Sequence, residues 1–346
     1  MFGRSAKPIR VDVFGKTDRG RSRDHNEDSF LVADLTRKAA NLLPEVRQHD
    51  IGPRGTLFVV ADGMGGAAAG ELASEMATDA IYAHLVNTWN AEDELTPQRF
   101  AYRLKEAVEV ANASIHAHAK AHPEVAGMGT TTTAAGVLND HVYVTQVGDS
   151  RAYLVRGGAA HQITRDQSLT QRLVEAGELT EEEAAKSERR NIILQALGPD
   201  PKVKVDLTHQ EVRRGDVLVL CSDGLSGQVK KEEIAQIVTG TTDLSAACDR
   251  LIALANERGG PDNITVVVAR FDGDGLRFSD GGTREDVGHQ VYPLIDTETS
   301  TEPVPVYKGS RPPVPNKVKH NRNARAIVFG LLAAVAALVW YFIRTQ

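Results

Sequence analysis

Four aspartates stand where an apolar run ends or begins. Asp62 follows Leu57-Phe-Val-Val-Ala61, Asp149 follows Thr145-Gln-Val-Gly148, Asp223 follows Val219-Leu-Cys-Ser222, and Asp262 precedes Asn263-Ile-Thr-Val-Val-Val268. A carboxylate at the end of a buried strand loses hydration unless it is paired, and several brought together repel one another; a hard divalent cation relieves both costs. No Cys or His cluster has ligand spacing, so zinc is not expected, whereas a set of oxygens suits Mg²⁺ or Mn²⁺. Singly, each aspartate is equally at home as a turn or helix-cap residue, but four at strand ends point to a shared site. Arg23, in Arg23-Asp-His-Asn-Glu-Asp28, supplies the cation they lack. Guanidinium binds phosphate oxygens bidentately, so an arginine beside a metal pair suits phosphate ester hydrolysis; a solvated surface run of ion pairs is the alternative.

The elements that must position these groups are short. Runs with strand character recur at Ile9 to Phe14, Thr56 to Ala61, Thr131 to Leu138, His141 to Val147, Arg151 to Arg156, Val217 to Cys221 and Thr265 to Phe271, with a shorter one at Ser29 to Val32. Asn139-Asp140 and Gly157-Gly158 are tight hairpin signals, which makes the pairing antiparallel. Helical spacing is clear from Pro97 to Lys120, where Thr96 caps and Phe100, Leu104, Val108, Ala111 and Ile115 share a face. A second helix, capped by Asp243, carries Leu244, Cys248, Leu251, Ile252 and Ala255, and a third runs from about Gly70 to Leu85. Hairpins with helices inserted between them give an α+β fold of stacked layers, not a doubly wound parallel sheet.

Composition fits that reading. The chain has 346 residues, 41% of them hydrophobic and 25% charged, with only 2 cysteines, so a disulfide-stapled scaffold is excluded and a reducing compartment is expected. A net charge of -6 argues against a nucleic-acid partner. That mean hides an asymmetry: residues 301–346 hold seven Lys or Arg against one acid, which leaves the first 300 residues at about -12. Ala326 to Ile343 carries no charge, and at about 1.5 Å per residue a helix of that length approaches the ~30 Å of a bilayer core. Lys317, Lys319, Arg322 and Arg325 precede it, and Trp340 and Tyr341 lie near its far end. The expectation is a single-pass anchor with the large N-terminal part in the cytoplasm. No apolar run suited to a signal peptide occurs in Met1 to Gly15. Residues 1–272 are expected as the folded domain, 273–323 as a Pro- and Gly-rich spacer with a basic end, and 324–346 as the transmembrane anchor.

Eight segments, in order, make the sequence resemble the metal-dependent serine/threonine protein phosphatases, the type-2C phosphatases, in their bacterial branch. They are Arg23-x-x-Asn26-Glu27-Asp28; Ala61-Asp62-Gly63-Met64-Gly65-Gly66 with Gly70-Glu71; Gly129-Thr130-Thr131; Val147-Gly148-Asp149-Ser150-Arg151-Ala152; Ile163-Thr164-x-Asp166-x-Ser168-Leu169; Ala196-Leu197-Gly198; Cys221-Ser222-Asp223-Gly224-Leu225; and Asn256-x-Arg258-Gly259-Gly260-Pro261-Asp262-Asn263-Ile264-Thr265.

The resemblance implies a β-sandwich of two antiparallel sheets flanked by helices, with two Mn²⁺ or Mg²⁺ ions at one end. By position, Asp62 matches the carboxylate that bridges both metals, and the carbonyl of Gly63 ligates one of them. Asp223 and Asp262 match ligands of the other, and Glu27 reaches the centre through water. Asp149, with Asp223, matches the holder of a third, weaker metal. Arg23 matches the phosphate-binding arginine, Asp28 and Asn263 stand beside the ligands, and Leu169 to Gln195 corresponds to a variable flap. The implied reaction is hydrolysis of phosphoserine and phosphothreonine in proteins by a metal-bridging hydroxide, opposing a serine/threonine kinase at the inner membrane. Met64, Ala67 and Gln167 stand where some or many family members have His, so no general acid is assigned. Cys221 is expected as a core residue and not as a nucleophile.

Overall fold

The computed structural model describes residues 7–278 and 287–294. Along the chain run β1 (Arg10–Asp18), β2 (Asp28–Asp34), β3 (Ala39–Ala40), α1 (Pro44–Arg47), β4 (Gln48–Asp50), β5 (Thr56–Met64), α2 (Ala67–Asn87) and α3 (Pro97–Ala121). They are followed by β6 (Gly129–Thr130), β7 (Thr132–Leu138), β8 (His141–Val147), β9 (Arg151–Arg156), β10 (Ala159–Gln162), α4 (Leu169–Glu175) and α5 (Glu181–Lys186). The rest are β11 (Asp206–Glu211), β12 (Val217–Cys221), α6 (Asp223–Ser226), α7 (Lys231–Gly240), α8 (Leu244–Glu257) and β13 (Ile264–Asp272).

Two antiparallel sheets result. One has the order β10-β9-β12-β13-β1-β4, the other β11-β8-β7-β5-β2-β3 with β6 attached to β5. Central strands are apolar on both faces because both faces are covered. In β5, Phe58 and Val60 face the other sheet while Leu57, Val59 and Ala61 pack under α2 and α3. In β13, Val267, Ala269 and Phe271 face the other sheet, and Ile264, Val266 and Val268 pack under α7 and α8. The layers are therefore α-β-β-α, as expected.

Local signals explain the helix ends. Thr96 Oγ1 accepts the Arg99 N–H at the start of α3, with Pro97 at its first position, and Asp243 accepts the Ser245 N–H at the start of α8. Both expected hairpins form, at Asn139-Asp140 between β7 and β8 and at Gly157-Gly158 between β9 and β10. The helix expected from Gly70 begins one turn earlier, at Ala67.

Part of the expected spacer lies on the sheets. Leu276 is buried, Arg214 donates its N–H to the Arg277 carbonyl, and its guanidinium stacks over Phe278. Residues 287–294 run along β11: the His209 N–H donates to the Gln290 carbonyl at 3.0 Å and the Tyr292 N–H to the Leu207 carbonyl at 2.9 Å. Tyr292 meets Tyr143 and His209 edge-on. Leu276, Tyr292 and Leu294 anchor a stretch whose Gly, Ser and charged residues gave it no strand or helix period. The expected span at Ala326 to Ile343 lies outside the described residues; among those, no helix is long and apolar enough to cross a membrane.

Candidate metal centre

The expected acids meet at one rim of the sandwich. Asp28 and Asp62 are direct neighbours in the β2–β5 register. Asp149 stands on the β8–β9 connection, which crosses from one sheet to the other. Asp223 opens α6 just after β12, and Asp262 precedes β13, its pairing partner. The loop between β1 and β2 brings Arg23 and Glu27 to the same rim, and Arg23 Nη2 donates to Asp262 Oδ2 at 2.7 Å.

Asn263, 4% exposed, ties that loop down. Its amide nitrogen donates to the carbonyls of Arg19 and His25, both at 2.9 Å, and its oxygen accepts the Glu27 N–H at 2.8 Å. One buried amide thus sets the positions of Arg23 and Glu27 relative to Asp262. At Asp62 the backbone carbonyl accepts the Thr131 N–H and the Thr130 hydroxyl, both at 2.9 Å, and the Gly63 N–H donates to the Glu27 carbonyl at 3.2 Å.

Electrostatics shows how closely the acids are gathered. Burial first, then the charges of Asp28, Asp223, Asp149 and Asp262, hold the Asp62 carboxyl well above the ordinary carboxylate range. Asp223 is raised by burial and by Asp262, against a hydrogen bond with Asp62 and the attraction of Arg151 and Arg23. Asp149 is pushed up to about 8 and Asp28 to about 7, each by burial before any neighbouring charge. Burial raises Glu27 too, with Arg23 opposing it.

The donor set fits hard divalent cations. Asp28 Oδ1, Asp149 Oδ1 and Asp223 Oδ1 are buried with no hydrogen-bond partner, although such oxygens are almost always satisfied. Among the described residues, no three His, Cys, Asp or Glu side chains close on one point as a finished cage does. Mg²⁺ and Mn²⁺ do not need that, because carbonyl and water oxygens complete their shells.

A cleft of about 870 Å³ opens over the rim, with Arg23, Asp149, Asp223 and Asp262 in its lining, and Arg190 of the flap facing it. Asp62 and Glu27 are not part of that lining. The flap consists of α4 and α5, whose ends are joined by a bridge between Ser168 and Ile193.

The sequence reading assigned no role to several residues that hold the site. Ser222 Oγ donates to Asp28 Oδ2 at 2.8 Å, and Thr131 and Ser150 share a hydroxyl contact of 2.7 Å. Arg151 chelates Asp166 through Nε and Nη2 and reaches Tyr153 through Nη1. Arg151 and Asp166 both lie inside the family motifs, and that pair of opposite charges was the available signal. Cys221 and Cys248 are buried, and burial pushes each thiol up to about 12, as expected of core residues.

The fold is shared with known proteins. A family model described as protein phosphatase 2C matches residues 46–259. The chain belongs to that family, in its bacterial branch, and is an enzyme of the serine/threonine phosphatase class. The serine/threonine phosphatase stp of Listeria monocytogenes is 37% identical over 258 residues, 74% of this chain and 94% of that protein. The crystal structure of the Mycobacterium tuberculosis serine/threonine phosphatase PstP/Ppp superposes with a TM-score of 0.63 at 36% identity, covering 76% of this chain and 99% of that one. A structure of the PstP catalytic domain in complex with two manganese ions gives a TM-score of 0.61 at 35% identity, covering 76% of this chain and 99% of that one.

Proposed function

We propose that the protein hydrolyses phosphoserine and phosphothreonine in other proteins, using two Mn²⁺ or Mg²⁺ ions and opposing a serine/threonine kinase at the membrane. The observation that carries this reading is the gathering at one rim of Asp62 beside Asp28, of Asp149, Asp223 and Asp262, with buried unpartnered oxygens on Asp28, Asp149 and Asp223 and with Arg23 bonded to Asp262. Asp62, Asp223 and Asp262, with the Gly63 carbonyl and with Glu27 through water, would hold the pair, and Asp149 with Asp223 a third ion. When bound, the cations offset the carboxylate charge and make water nucleophilic near neutral pH.

The chain's own groups do the rest. Arg23 keeps one N–H on Asp262, and its other donors are free to orient the phosphoryl oxygens and offset their charge. Asn263 holds Arg23 at that position without adding charge. Thiol nucleophilic catalysis finds no candidate among the described residues, because Cys221 and Cys248 stay protonated within the core.

The membrane part of the reading is supported by the uncharged stretch from Ala326 to Ile343 and the basic residues before it. It predicts that the full-length chain sediments with membranes and resists carbonate extraction. Recovery in the soluble fraction would count against the anchor alone. For the chemistry, the full-length chain is expected to release phosphate from phosphothreonine peptides only when Mn²⁺ or Mg²⁺ is supplied. Asp62→Ala should lower the rate by about 1000-fold or more, the loss of several kcal/mol of charge stabilisation. Hydrolysis that survives either a chelator or Asp62→Ala refutes the reading.

A further inference from the structure

The turn that carries Asp149 is fastened by a residue with no titratable group. Gly148 has φ +100°, a left-handed conformation, and Asp149 follows it into the cleft lining. The Gly148 N–H donates to Gln167 Oε1 at 2.9 Å, and the Gly148 carbonyl accepts the Gln167 N–H at 2.9 Å. Gln167 thus holds both backbone groups of the turn. Gln146 adds a weaker bond from its amide to the same carbonyl, at 3.3 Å.

The remaining groups of Gln167 reach elsewhere. Its carbonyl accepts the Leu194 N–H at 2.8 Å, at the far end of the flap, and its Nε2 donates to Asp206 Oδ2 at 3.0 Å, at the start of β11. Next to it, the Leu169 N–H donates to the Ile192 carbonyl at 2.9 Å and closes the neck from which α4 and α5 extend. Thr170, Arg190 and Asn191 of that flap line the same cleft as Asp149. A donor on one side and a carboxylate on the other fix which end of the amide is oxygen and which is nitrogen.

We propose that Gln167 is a positioning residue of the phosphatase reaction: two bonds to Gly148, one to Leu194 and one to Asp206 lock the Asp149 turn to the flap and to β11, so that carboxylate and flap face the cleft as one unit. The inference rests on the phosphatase reading above. It implies that the flap cannot shift without moving Asp149, and that a phosphopeptide pressing on the flap is felt at the acidic rim.

The test uses three variants of the full-length chain. Gln167→Met keeps the volume and removes both side-chain bonds. Gln167→Glu keeps an acceptor for the Gly148 N–H but sets a carboxylate against Asp206. Gln167→Glu combined with Asp206→Asn exchanges donor and acceptor across that contact and restores every bond. Amide hydrogen exchange is followed at Gly148 and Leu194, and KM and kcat are measured on a phosphothreonine peptide. Each single variant is expected to speed exchange at both amides and raise the peptide KM by about tenfold, with a smaller fall in kcat. The double variant should return both readouts to within about twofold of the parent. Parental exchange and KM in Gln167→Met, or a double variant no better than Gln167→Glu, overturns the proposal. If the parent chain hydrolyses no phosphopeptide, the phosphatase reading falls, while the exchange measurements still decide whether the lock exists.

Discussion

Asparagine at position 149 should make the metal-free protein more stable. Asp149 is only 6% exposed, one of its oxygens has no partner, and burial followed by the charges of Asp223 and Asp166 pushes its carboxyl from 3.8 to about 8. Because the folded-state value is raised, folding costs nothing extra below about pH 4, where both states hold the proton. Between about pH 4 and 8 the unfolded chain has released a proton that the fold retains, so stability is lost as pH rises, by about 1.4 kcal/mol per pH unit. At pH 7 that amounts to about 4 kcal/mol, and at pH 5 to about 2 kcal/mol. Asp149→Asn removes the titration; because the amide is itself a buried polar group in a site with an unpartnered oxygen, the expected recovery at pH 7 is about 2 kcal/mol or more. The assay is urea unfolding of the full-length chain, followed by circular dichroism in the presence of a chelator at pH 5 and pH 7. Saturating Mn²⁺ should narrow or reverse the order, since a ligand at about 100 times its Kd adds about 2.7 kcal/mol to the form that binds it. An Asp149→Asn chain no more stable than the parent at pH 7, or an advantage that does not grow from pH 5 to pH 7, refutes the reasoning.

Three further outcomes follow from the same rim. Arg23→Ala should lower kcat/KM on phosphopeptides by about 100-fold, and Arg23→Lys should restore little of it, because a point charge cannot replace the guanidinium fork; steady-state kinetics with saturating Mn²⁺ decides this. A β-carbon at Gly224 would collide with the Asn263 carbonyl, so Gly224→Ala should cost about 3 kcal/mol in urea unfolding and weaken Mn²⁺ binding measured by calorimetry. Iodoacetamide should leave the native enzyme unmodified and active, since both thiols are buried; mass spectrometry showing alkylated Cys221 in native protein would contradict that.

Much of the site was legible because its acids obey a local rule. Asp62, Asp149, Asp223 and Asp262 each mark the end of an apolar run, and a strand end is visible in a few residues of sequence. The layers were legible for the same reason, since β5 and β13 are apolar on both faces and α3 and α8 carry clear caps and stripes. What was not legible is held by bonds between residues far apart in the chain. Gln167 joins residues 19 and 39 positions away, and Ser222 reaches Asp28 across 194. No local pattern encodes such pairs, and an amide or a hydroxyl does not announce its role by type. β11 was missed because Asp206-Leu-Thr-His-Gln-Glu211 has few apolar residues, although its edge is covered by a segment that comes later in the chain. The flap helices are short and exposed, so they carry almost no burial period.

If the proposed membrane anchor holds, the segment along β11 sets how far the catalytic domain can reach from it. If the catalytic domain ended at 272, the 51 residues to 323 would span at most about 180 Å; leaving from residue 294, the chain has 29 residues and a limit of about 100 Å. A radius shortened to that extent cuts the volume open to the domain about sixfold, and the effective concentration of anything else held at the same patch of membrane rises in proportion. Under the proposed anchor, eight residues laid against a sheet edge would thereby act as a leash setting, favouring phosphoproteins held at the same membrane over freely diffusing ones.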